Sequence, residues 1–170
     1  MPLRKASLEA LEQVFTIVSL AEAVYTWKTQ PSSQPIGTHV RHIIDHYWAM
    51  QDGLTTGNID YNQRNRNTLL ETEPETAIKA LEAIKTWLQT APLSNTQVNV
   101  TSEISIDQTE SIQTQSCVDR ELMYLINHTL HHVAYASLTA TSLGIKTSAL
   151  LGVAPATASY LRKLGQDDNT

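Results

Sequence analysis

Six histidines occur in this chain of 170 residues, and all six fall in two groups: His39, His42 and His46 in one, His128, His131 and His132 in the other. His128 and His132 stand four residues apart in a stretch of helical period, which puts both imidazoles on one face, one turn apart. Imidazole is the commonest metal-binding side chain. Such a pair plus one ligand from a second helix makes the three-histidine arrangement of an open metal site. Tyr124, His128, His132 and Tyr135 step by four, four and three, and His39, His42 and His46 step by three and four, so each set forms a strip beside the apolar face of its helix. If the two helices are neighbours, one histidine of the first strip meets the pair of the second and leaves a coordination position for water, whose pKa an ion lowers to roughly 7. The competing reading is a set of core-boundary histidines bonded to carbonyls with no metal.

The elements that must position these strips can be read from period and punctuation. Leu8, Leu11, Phe15, Val18 and Tyr25 predict an amphipathic helix from residue 5 to about 27, ended by KTQPSSQPIG. Val40, Ile43, Ile44, Tyr47 and Leu54 predict a second helix from Thr38 to Thr56, stopped at Gly57-Asn58, and it carries the first histidine group. Residues 58–71 show no clean period and read as a long ordered loop. Thr72 with Glu75 has capping-box spacing ahead of Ile78, Leu81, Ile84 and Leu88, the third helix. Between Ser94 and Ser116, alternating β-branched residues such as Val98, Val100, Ile104, Ile106 and Ile112 predict a small antiparallel hairpin. Ser116 with Asp119 reads as another cap, and a core face from Leu122 to Leu143 defines the fourth helix, which carries the second group. A short helix from Ala154-Pro155 and a solvated QDDNT tail follow. The expected fold is mainly α: an up-and-down four-helix bundle with a β-hairpin insertion before the last long helix, in one domain over residues 1–170. Bundles of this kind commonly build sites from side chains on facing helices.

Composition excludes several functions. With 12 Lys plus Arg against 17 Asp plus Glu the net charge is -5, and no basic run offers a nucleic-acid surface. The single Cys117 allows no internal disulfide and no cysteine-based metal cluster, so ligands must be nitrogen or oxygen. Glu9 and Glu12 interrupt the region where a signal peptide would be apolar, and no apolar run is long enough to span a membrane. The expectation is a cytoplasmic protein acting on a small molecule. No G-x-S-x-G elbow and no glycine-rich phosphate loop occur.

The run His42-Ile43-Ile44-Asp45, the hairpin insertion, and His128-x-x-x-His132 ahead of Leu143-Gly144-Ile145 resemble the DinB/YfiT-like superfamily of metalloenzymes. That resemblance implies a bundle in which three histidines bind a divalent metal (zinc, nickel or iron), with His42, His128 and His132 as ligands. It also implies a homodimer as one assembly. The activities it implies are hydrolysis or transfer to a low-molecular-weight thiol such as bacillithiol or mycothiol. The alternative is a non-catalytic metal-binding or stress-response module with a structural metal or none.

His46 departs from the bare family motif, as a fourth ligand or a proton-transfer group; its other reading is a helix-face histidine bonded locally. Asp45 is a candidate catalytic residue, as a general base beside His46 and Glu121 or as a group that orients an imidazole, or else is simply solvated. Arg64 and Arg66, in the segment between the two histidine helices, could grip an anionic substrate group or pin their loop through Asp60, Glu71 or Glu73. Cys117 at a helix start is a candidate thiolate or an inert side chain.

Overall fold

The computed structural model describes residues 2–66 and 68–167. The elements run α1 (Pro2–Leu20), a 3-10 turn (Glu22–Val24), α2 (Ile36–Thr56), β1 (Asn58–Asp60), a second 3-10 turn (Leu69–Glu71), α3 (Pro74–Thr90), β2 (Gln97–Glu103), β3 (Ser111–Cys117), α4 (Val118–Ser142) and α5 (Pro155–Asp167). Each long helix buries the apolar stripe that its period announces: Leu11, Val14 and Val18 on α1, Val40, Ile43, Ile44 and Tyr47 on α2, Leu81, Ile84 and Leu88 on α3, Leu122, Leu125 and Val133 on α4. All of them join one core. Full burial of each such side chain contributes about 1.5–3 kcal/mol, and that sum holds α4 against α1 and α2, and α3 against the same two helices.

The expected four-helix bundle with a lone hairpin is overturned. Among the described residues, five helices accompany a three-stranded mixed sheet of order β1-β2-β3, an α/β mixture. The hairpin forms, with β2 and β3 antiparallel from Gln97↔Cys117 to Glu103↔Ser111. The segment expected to be a loop supplies the third strand, parallel to β2 with Asn58↔Asn99, Ile59↔Val100 and Asp60↔Thr101. Parallel neighbours need a crossover, and α3 is the helix that makes it. Three residues are too few to display an alternation, so only pairing with a distant strand and the complete burial of Ile59 define β1. Gly53 permits the close approach. A Cβ there would stand 2.5 Å from Ile59 Cγ1 and 2.7 Å from Ile59 Cα.

Helix ends also differ from the expected caps. The Thr72/Glu75 box does not form, because α3 begins at Pro74 with Glu73 as its N-cap and no side-chain cap bond; proline suits the first turn, where its missing N–H costs nothing. Ser116 gives its hydroxyl to Glu121 rather than to the backbone of α4. Gly57 at φ 75° stops α2 as anticipated. Past Leu20 the chain tightens into the 3-10 turn, which buries Tyr25 and lets its hydroxyl donate to the Leu70 carbonyl at 2.8 Å. At the other end α5 runs on to Asp167, into the expected tail, whose last three residues lie outside the described residues. No helix among the described residues is long and apolar enough to cross a membrane.

Candidate metal centre

Helices α2 and α4 pack directly on each other, which brings the two histidine strips face to face. His42 Nε2 and His128 Nε2 lie 3.1 Å apart, and the His42 and His132 ring centres 4.5 Å apart. One nitrogen each from His42, His128 and His132 lies within 4.8 Å of the others. Metal–nitrogen bonds of about 2.0–2.1 Å set tetrahedral co-ligands about 3.3 Å apart, so the His42–His128 pair already has ligand spacing.

The electrostatics favour ligation as well. Burial, then the neighbouring imidazoles of His46 and His132, push His42 down to about 2. Burial, then His46 and His131, push His128 down to about 3; burial, then His128 and His39, do the same for His132. All three are therefore neutral at pH 7, the form in which imidazole offers a lone pair to a metal. The donor set fits a divalent ion.

His46 has a different place. Its ring is buried, lies against the His128 ring with centroids 4.1 Å apart, and carries Tyr61 stacked at 5.2 Å. Its Nδ1 bonds the His42 carbonyl at 3.0 Å. A carbonyl only accepts, so Nδ1 holds the proton and Nε2 the lone pair. Burial, then the charge of Arg64, push this imidazole down to about 4. His46 stands outside the close trio. Asp45 accepts from Arg41 Nη1 at 2.9 Å and from Asn65 Nδ2 at 2.9 Å, and among the described residues it bonds no imidazole. Arg41 in turn donates to Glu71 at 2.8 Å. Asp45 thus fastens the segment after β1 onto α2.

No family model, curated protein or solved structure matches this chain. The chemistry of the centre rests on its own atoms, and several of them were not singled out by sequence. His39 sits in the right strip, yet only the fold shows its Nδ1 at 3.1 Å from His132 Nδ1, with its ring stacked on Tyr135. Tyr61 stands out in sequence only as the aromatic of an aperiodic segment, with nothing to announce its partners. It stacks on His46 and donates its hydroxyl to the fully buried Glu121 at 2.9 Å. Tyr124, part of the predicted strip, stacks on His128 with centroids 5.3 Å apart. Tyr61 and Tyr124 also line a cavity of about 400 Å³ between the sheet and α4, together with Arg120, Glu121, Thr114 and Ser116. Cys117 ends β3 opposite Gln97.

Proposed function

We propose that the protein is a divalent-metal-dependent enzyme of hydrolase or thiol S-transferase type, related to the DinB/YfiT-like superfamily. The convergence of His42, His128 and His132 within 4.8 Å carries this reading. Imidazole donors suit zinc, nickel and iron alike. A divalent ion bound there supplies Lewis acidity, polarising a substrate oxygen or sulfur and lowering the pKa of a water ligand.

The chain's own residues supply the rest. His46, neutral and anchored through Nδ1 on the His42 carbonyl, keeps its Nε2 lone pair for accepting a proton. The stacked rings of Tyr61 and Tyr124 shield His46 and His128 from water on the cavity side and leave the ring orientations little freedom. Asp45 is a positioning residue here, since it holds Asn65 and Arg41 in place. None of the histidines lines the cavity beside the tyrosines, so a small-molecule substrate, with a low-molecular-weight thiol among the candidates, reaches the ion on the face of the trio that Tyr61 and Tyr124 leave uncovered. A non-catalytic module with a closed four-histidine site is less well supported, because His46 lies outside the trio and structural zinc leaves no open position.

Metal analysis of untagged protein tests the reading directly. The wild type is expected to carry close to one divalent ion per chain, and the His128→Ala/His132→Ala variant almost none. Equal metal in the two proteins overturns the site.

A further inference from the structure

Resting on the metal site proposed above, the geometry points to Arg64 as the anchor of an anionic substrate: a small molecule whose carboxylate or phosphate group bridges the ion and the Arg64 guanidinium. The segment carrying Arg64 is fastened to α2 at two points. At one, the Tyr61 ring stacks on His46 at 5.2 Å. At the other, Asn65 gives its side-chain amide to Asp45 at 2.9 Å and its backbone N–H to the same carboxylate at 3.3 Å. Asp45 lies on α2 between His42 and His46, so Arg64 is held between two points that both abut the site. Its Nη1 donates to the carbonyls of Tyr61 and Gln63, which folds the half-buried side chain back toward the tyrosine covering His46. Among the described residues Nε and Nη2 make no hydrogen bond, and no carboxylate forms an ion pair with the guanidinium. Two donors of the fork are left to meet a ligand in bidentate fashion.

The charges around the centre argue the same way. Arg41 stands between Asp45 and Glu71, a group with one surplus negative charge, and Glu121 is matched by Arg120. Arg64 lies outside these pairs. The three imidazole ligands are neutral, so a divalent ion adds two positive charges that no protein ligand balances. An oxyanion in the remaining coordination position relieves the ion and the arginine together, whereas a neutral ligand relieves neither.

The test loads untagged protein with cobalt(II), measures cobalt affinity, and then titrates acetate and, separately, inorganic phosphate, following the cobalt visible spectrum and the heat of binding. The wild type is expected to bind at least one of the two anions at one per site, and the stronger arm identifies a carboxylate or a phosphate as the preferred group. Arg64→Gln should weaken that anion about 10- to 100-fold, the scale of a lost charge-assisted pair, while the protein still takes up cobalt at one per chain. Should Arg64→Gln fail to fold, Arg64→Lys carries the comparison, since it keeps the charge without the fork and should weaken the anion several-fold. Failure of the wild type to hold cobalt sinks the metal reading and this inference with it. Cobalt bound normally, with neither anion binding or with equal anion affinity in wild type and variants, overturns the role of Arg64 alone.

Discussion

The two ring nitrogens of His132 have different tasks if Nε2 takes the metal, because Nδ1 then carries the proton and faces His39 Nδ1 at 3.1 Å. His39 must accept that proton's hydrogen bond, which fixes the tautomer and the aim of His132. Its own ring is held by stacking on Tyr135 with the planes 4° apart. Residues that orient a ligating histidine in this way typically matter 10- to 100-fold in metal affinity, so His39→Ala should weaken metal binding by roughly tenfold or more. His39→Gln, which offers an amide oxygen as acceptor, should recover part of the loss. Competition with a chromophoric chelator measures both, and identical affinities for wild type and His39→Ala would remove His39 from the centre.

Between elements, the critical joint is where β1 lies on α2. Pairing with β2 starts the segment that ends at Asn65, and Tyr61, one residue past β1, donates its backbone N–H to the Thr101 carbonyl. Because that strand rests directly on Gly53, a side chain there must push Ile59 and the Asn58 carbonyl, 2.9 Å away, off the helix. Gly53→Ala should therefore cost about 1–3 kcal/mol in urea unfolding, the range of an overpacked core, despite alanine's better helix propensity. It should also loosen Tyr61 from His46, which fluorescence quenching or hydrogen exchange over residues 58–66 would register. Unchanged stability in this variant means that β1 does not press on α2.

For the molecule as a whole, gathering imidazoles in a half-buried site ties stability to pH. His39, His42, His46, His128 and His132 are all held below their ordinary value of 6.5, burial being the largest cause in each. A folded-state pKa below the unfolded one means that the unfolded chain takes up protons first as pH falls. The contribution of these groups is complete above 6.5 and is lost progressively as pH drops below 6.5 toward the folded values. Metal-free protein should accordingly show a lower urea midpoint at pH 5 than at pH 7.5. A midpoint that stays constant over this interval shows the five rings to be hydrated as in the open chain.

Much of the site is written locally. The i, i+4 spacing of His42 with His46 and of His128 with His132, and the apolar stripe beside each pair, depend only on helical period, so the strips and their helices are legible in the sequence. The limits of α1, the capping of α3 and the mixed sheet are not, because each depends on partners far along the chain. Nothing near Asn58 announces that its strand will pair with Asn99, and the His39–His132 contact joins residues 93 apart. The sequence by itself determined which residue types could bind a metal and on which helix faces they lie. Only the tertiary packing of α2 on α4, with β1 and the Arg64 segment drawn over them, decided which nitrogens converge, because convergence is a distance between separate elements and no local period encodes it.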